Sequence, residues 1–484
     1  MNNQENAEKT TIYSKLKEYG DSDFYPYHMP GHKRGEGNDF LKHIAKIDIT
    51  EIDGFDNLHN AEGIIKNAQD KIAKACGVKK SYMLVNGSTC GVLAAISAAV
   101  PQNGKLLIVR NAHKSAYNAM ILRDIDPEYL YPSIDEIIGV CDAITAEQVK
   151  NKLVEISNGS ESGVSAVFIV SPTYEGKIAD VKAIADVVHS YNIPLIVDEA
   201  HGAHLPFATN IEGYGQSACQ AGADIVIQSA HKTLPAPTQT AVLHICSERV
   251  DTKKIENYLH IYETSSPSYL LMAGLEAAYD LMAQNGESLL IKMKDCFLKL
   301  VDTVNNECKV IKAFWPKDFG KSKQDIGKLV IYTEENDITG KKIADILREK
   351  YHLETELSGD RYLLAMFTVG DTLEGYERMA RALIEIDSEL QTNSKATKRD
   401  GITIISEPIA EMSLSEAFDA KCEKIELVKA LDRVSADFVM LYPPGVPILA
   451  PGEKVTKEHI TTIKDYLEKE LQVIGLEDEK ISVI

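Results

Sequence analysis

Ala223-Asp-Ile-Val-Ile-Gln-Ser-Ala-His-Lys-Thr233 passes within a few residues from an apolar run into a polar cluster. Ile193-Pro-Leu-Ile-Val-Asp-Glu-Ala-His201 makes the same change at Asp198. Working outward, Ser81-Tyr-Met-Leu-Val85 precedes Asn86-Gly-Ser-Thr89, Lys105-Leu-Leu-Ile-Val109 precedes Asn111-Ala-His113, and Ala166-Val-Phe-Ile-Val170 precedes Ser171-Pro-Thr-Tyr174. A further apolar run is Ala241-Val-Leu-His-Ile245. Short, continuously apolar strands separated by helical patterns indicate an α/β fold with a mostly parallel sheet covered on both faces. Ligands of such sheets bind outside the carboxyl ends of the strands, where each of these polar clusters begins.

An amine at one strand end and a carboxylate at another suit a pyridoxal phosphate site. The aldehyde of that cofactor needs an amine to form a Schiff base, and its ring nitrogen needs a buried carboxylate to stay protonated. Lys232 supplies the first and Asp198 the second in this reading. Ser88 and Thr89 lie between a strand and the predicted helix Val92–Ala99, where amides and hydroxyls at a helix N-terminus stabilise a phosphate; an ordinary helix cap is the alternative. Ser229 and His231 flank the lysine and are candidate donors to the same phosphate. His113 follows its strand closely enough for its ring to stack on a flat cofactor. Asp198, Glu199, His201 and His204 fall short of a metal site because no cysteine or spaced histidine pair completes them.

At 484 residues and 44% hydrophobic, the chain is long enough for a large α/β domain and a smaller one, since single cores rarely exceed roughly 250–300 residues. The formal net charge of −20 argues against nucleic acid or an anionic membrane as partner and favours a cationic small substrate. Eight cysteines without a Cys-x-x-Cys pair, no secretory leader and no apolar stretch of spanning length predict reduced thiols and a cytoplasmic protein. Residues 1–60 read as an arm, 61–285 as the large domain and 286–484 as a smaller α+β unit. The smaller unit has strands at Leu329-Val-Ile-Tyr332 and Tyr362-Leu-Leu-Ala-Met366 and a linker near 391–400.

His28-Met-Pro-Gly-His-Lys33, Asp48-Ile-Thr-Glu-Ile-Asp-Gly54, Asn86-Gly-Ser-Thr89, Val197-Asp-Glu-Ala-His-Gly-Ala-His204, Ser229-Ala-His-Lys-Thr-Leu-Pro235, Ser266-Pro-Ser-Tyr269 and Tyr442-Pro-Pro-Gly-Val-Pro447 together resemble the bacterial ornithine/lysine/arginine decarboxylases of the aspartate-aminotransferase fold. The resemblance implies a fold-type I pyridoxal phosphate enzyme with a large, mostly parallel seven-stranded sheet domain. It also implies decarboxylation of a basic amino acid in polyamine biosynthesis, with arginine ahead of lysine and ornithine. On that basis Lys232 is the cofactor lysine, Asp198 the pyridine-nitrogen partner and His113 the stacking ring, with His201 nearby. Ser88, Thr89, Ser229 and His231 are phosphate ligands, and Thr264 is a phosphate contact given across a dimer interface. The first of these segments comes so early that the chain resembles the short branch lacking an N-terminal wing, so a dimer or dimer of dimers is expected. Glu407 and Glu411 are candidates, on residue type alone, for meeting the far end of the substrate. Cys90, directly after the Asn86–Thr89 cluster, has no assigned role.

Overall fold

The computed structural model describes residues 25–27, 56–135, 138–159, 163–315, 323–333, 338–393, 407–441, 446–469 and 471–484. Most of the arm, the linker from residue 394 onward, and the segments 28–33, 48–54 and 442–445 lie outside the described residues.

Seven strands build the main sheet: β1 (Lys80–Leu84), β2 (Lys105–Val109), β3 (Asp126–Leu130), β4 (Ala166–Val170), β5 (Leu195–Asp198), β6 (Ile225–Gln228) and β7 (Ala241–Ile245). Their spatial order is β1-β7-β6-β5-β4-β2-β3. The pairs β2–β3, β2–β4, β4–β5 and β5–β6 are parallel, and only β7 runs against its neighbours. Leu106 to Ile108, Ala166 to Ile169, Leu195 to Val197 and Ile225 to Ile227 are all inaccessible, as expected of strands with helices on both faces. The helix Gly87–Ala99 lies so close to the sheet that a Cβ on Gly91 would sit 2.7 Å from Leu84 Cδ1 and 3.2 Å from Ile227 Cγ2.

A 39-residue helix, Tyr269–Glu307, starts at Ser268, whose hydroxyl accepts from the Leu271 amide. It spans about 58 Å at 1.5 Å per residue, and one buried stripe (Leu275, Leu290, Phe297, Val304) runs along it. The expected division at 285/286 falls inside this helix, so the chain crosses between units within a regular element. Beyond it, an antiparallel sheet orders Ile311–Ala313, Lys328–Thr333, Tyr362–Met366 and Leu357–Ser358 side by side. The described strand of the arm, Tyr25–Tyr27, pairs in parallel with Leu353–Thr355. The last segment carries two three-stranded sheets over a separate core that includes Leu427, Val439, Leu449, Ile463 and Ile481. The 286–484 stretch therefore contains two packed pieces, of which the second leans on the helix Lys114–Arg123 through Phe438, edge-on to Tyr117 at 5.5 Å. Among the described residues no helix is long and apolar enough to cross a membrane.

Candidate active site

A cavity of about 840 Å³ opens at the carboxyl ends of the parallel strands. Ser88, Thr89, His113, Asp198, His201, His231 and Lys232 all line it, so residues drawn from four separate strand ends meet in one place.

The cluster after β1 opens a helix at the cavity. Ser88 and Thr89 lie inside the first turn of the helix Gly87–Ala99, and its N-cap, Asn86, makes no side-chain cap bond. The first amides are thus left for another acceptor, which disfavours the ordinary-cap alternative. Behind the turn, the buried carboxylate of Glu263 accepts from the amides of Val85 (3.0 Å), Asn86 (3.3 Å) and Thr264 (3.0 Å) and from the Cys90 thiol (3.3 Å). Burial first, and the Glu263 charge second, push the Cys90 thiol up, so it is a protonated donor that braces the turn. Ser229 caps the short helix Ala230–Thr233 without a side-chain cap bond. Its hydroxyl is buried and has no partner among the described residues. An orphaned buried hydroxyl is costly, and a phosphate would satisfy it. His231 donates from Nδ1 to the Thr240 carbonyl at 2.9 Å, so its ring can donate to a phosphate through Nε2 only as the imidazolium.

Asp198 ends β5 and accepts the Ala200 amide at 3.1 Å. Burial pushes its carboxyl up, while the Lys232 charge and the Ala200 amide pull it back. Lys232, in the helix after β6, has its ammonium destabilised by burial, against the pull of Asp198 and Glu356. His113 caps the helix Lys114–Arg123 and pairs its Nδ1 with Ser115 Oγ at 2.9 Å. Its ring lines the cavity; burial, then the charges of Lys232 and Lys114, bring its pKa down to about 4. An amine eased toward its neutral form, a dry carboxylate, a neutral ring and an anion cup with an unpaired hydroxyl together fit pyridoxal phosphate.

The opposite wall went unnoticed in the sequence. Lys328 opens a strand of the smaller sheet and reaches His201 Nδ1 at 2.7 Å, while His201 Nε2 faces Lys232 Nζ at 3.0 Å. Tyr174 lies against the His201 ring at 4.7 Å and donates to Glu356 at 2.6 Å. Glu175 accepts from the Tyr362 hydroxyl at 2.7 Å. Arg110, just past β2, forms a buried two-pronged ion pair with Glu453 of the last segment, at 2.6 and 2.9 Å. A lysine opening an otherwise apolar strand was the only signal available for Lys328. Of the two acidic candidates, Glu407 lines the cavity; Glu411 is not among the lining residues, and its amide donates to the Gly452 carbonyl. Thr264 is not among them either; its carbonyl accepts from His59 Nε2 at 2.7 Å.

Comparison with known proteins gives the family. The profile described as Orn/Lys/Arg decarboxylase, major domain, matches residues 10–325, and that of the C-terminal domain matches residues 404–474. The chain belongs to the Orn/Lys/Arg decarboxylase family. It is therefore a pyridoxal phosphate-dependent carboxy-lyase of basic amino acids. Among its relatives is the arginine decarboxylase of Bacillus subtilis, 33% identical over 98% of this chain and 97% of that one. The constitutive lysine decarboxylase of Escherichia coli is 25% identical over 92% of this chain and 75% of its own length. In fold, the chain is similar to the Francisella novicida lysine decarboxylase, with a TM-score of 0.77 at 19% identity over 97% and 80% of the two chains. The α/β architecture expected from the apolar strands is thus the family's, and the wall formed by the last segment coincides with its C-terminal domain.

Proposed function

We propose that this protein decarboxylates L-arginine to agmatine and CO₂ in the cavity between Lys232 and Asp198. The observation that carries the reading is the convergence of an amine, a dry carboxylate and an anion cup at the ends of parallel strands in one cavity. The relatives named arginine decarboxylase, 31–33% identical over most of the chain, support arginine over lysine and ornithine. Pyridoxal phosphate, when bound, supplies the aldehyde that takes up an amine and the ring that accepts the electron pair of the breaking C–CO₂ bond. The chain's own residues do the rest. Lys232 offers its amine in the form that burial favours, and Asp198 holds the proton on the pyridine nitrogen. His113 covers the ring, and Ser88, Thr89, Ser229 and His231 hold the phosphate. Glu407, which lines the cavity, meets the cationic end of the substrate.

The protein acts as a cytoplasmic homodimer or dimer of dimers in this reading, with Thr264 serving a partner's phosphate. What supports it is that Thr264 does not line its own chain's cavity while Glu263 ties it to the cup. The test is parallel turnover of arginine, lysine and ornithine, with the amine product identified by mass and the cofactor lysine trapped by borohydride. We expect agmatine as the main product and the label on Lys232. A kcat/KM for cadaverine formation well above that for agmatine overturns the substrate, and a label on another lysine overturns the site.

A further inference from the structure

Two lysines share one histidine in this site. His201 sits between Lys232 Nζ at Nε2 (3.0 Å) and Lys328 Nζ at Nδ1 (2.7 Å). Burial first, and the two lysine charges next, hold His201 well below its ordinary pKa, so the ring is neutral. A neutral imidazole has one N–H and one acceptor nitrogen, and an ammonium only donates. Both lysines therefore cannot be ammonium groups in these two contacts; one donates, and the other accepts as a free amine.

Acids favour the charge on both lysines, Asp198 and Glu356 on Lys232 among them, so it is the chemistry required of Lys232 that decides which is which. Lys328 is 1% exposed, and its ammonium bonds, among the described residues, to His201 Nδ1 and to the Met366 sulfur at 3.4 Å, with the Tyr174 ring 5.9 Å away. Asp325, Glu356 and Glu175 face it and favour its charge; Lys232 opposes it. Lys232 is the amine that must have a free lone pair to act on a carbonyl carbon. A buried ammonium without a directly bonded carboxylate is costly, yet the chain makes room for it. At Gly176 (φ +96) a Cβ would come within 2.7 Å of Cβ and Cγ of Lys328.

We propose that Lys328 is a positioning residue of the decarboxylase, donating to Nδ1 of His201 and so fixing the imidazole with its proton on Nε2, aimed at Lys232 Nζ. The inference rests on the assignment of Lys232 made above. A hydrogen bond donated to the lone pair of Lys232 favours the neutral amine and orients it toward the cavity. Burial, the largest influence on Lys328, brings its pKa down to about 8, so the arrangement holds at neutral pH and weakens above about 8.

The test compares the parent holoenzyme with Lys328→Met and with Lys328→Gln, whose neutral amide still donates. We expect Lys328→Met to lower kcat about 10–100-fold, the range for loss of a group that orients a functional histidine, with KM little changed. Its pH profile should lose the decline above about 8, and Lys328→Gln should recover part of kcat. Independently of activity, nitrogen-15 spectra of histidine-labelled, unloaded protein, with His201 assigned by His201→Asn, should show a pyrrole-like Nε2 and a pyridine-like Nδ1 in the parent and a tautomer mixture in Lys328→Met. A folded Lys328→Met with parental kcat and tautomer overturns the proposal. So does a proton on Nδ1 in the parent, which settles the matter even if Lys328→Met fails to fold. Failure of the Lys232 assignment shows itself separately, as borohydride label on another lysine.

Discussion

The two walls of the cavity are made in different ways. On the main-sheet wall, Thr89, His113 and Lys232 each follow a buried strand by a few residues and Asp198 ends one, so the strand's own burial places the side chain. The facing wall draws Arg361, Glu407 and Lys469 from distant stretches, and Lys328, beneath it, comes from a strand of a separate sheet. The first wall is a product of local chain geometry at the ends of parallel strands. The second exists only because three packed units meet. It follows that the first wall should carry the chemistry and tolerate little change, whereas the second should tune, support and close the site.

The joint between the walls offers the sharpest way to break this contrast. Arg110 and Glu453 are both buried, with side-chain exposures of 8% and 4%, and removing one partner of such a pair strands the other charge. Arg110→Met should cost about 3–5 kcal/mol, seen in urea titration and as earlier hydrogen exchange in the C-terminal segment than in β2. Equal loosening of both regions would mean that the second wall is not separately attached.

Asp198→Asn tests the chemical wall. The amide carries no charge to hold a proton on the ring nitrogen, so kcat should fall about 100–1,000-fold, the scale for losing one preorganised electrostatic partner, while the thermal midpoint stays near that of the parent. Turnover at the parental rate by cofactor-loaded Asp198→Asn would remove Asp198 from the chemistry.

The smallest effect is a pH dependence inside the main sheet. His244 is fully buried between Ser81 Oγ (2.8 Å) and Gln228 Oε1 (3.0 Å), and burial alone brings its pKa down from 6.5 to about 3. The unfolded chain binds a proton that the folded chain refuses. The stability from this group is complete above 6.5 and is lost as pH falls toward about 3, at no more than about 1.4 kcal/mol per pH unit. His244→Asn should flatten that decline in urea midpoints measured from pH 7 to pH 4. Lys328 under the facing wall obeys the same sign in another window, between about 8 and 10.5, where parental stability should rise with pH.

Much of the first wall was legible because its residues follow apolar runs too short and too uniform to be anything but buried strands. Lys232, Asp198, His113 and the Ser88–Thr89 turn were found in that way, and the cavity gathers them. Lys328 was passed over because a lysine at the start of Lys328–Thr333 looks like a solvated strand end until Gly176, Tyr174 and Met366 close around it. The division at 285/286 was drawn where the alternation of apolar runs and helical patterns gives way, which does not register a helix of 39 residues running through it.

By itself, then, the sequence determined the α/β sheet, the strand ends whose polar residues gather in the cavity and the kinship with basic amino-acid decarboxylases, because hydrophobic periodicity and short motifs are properties of neighbouring residues. Only the tertiary structure decided the second wall. The Lys328–His201–Lys232 line, the Arg110–Glu453 clamp and the bracing of the cup by Glu263 each join residues far apart in the chain. Such contacts are set by how separately folded pieces bury polar groups against one another, and a buried charge or hydrogen-bonded carboxylate takes its meaning from a partner that no local stretch of sequence contains.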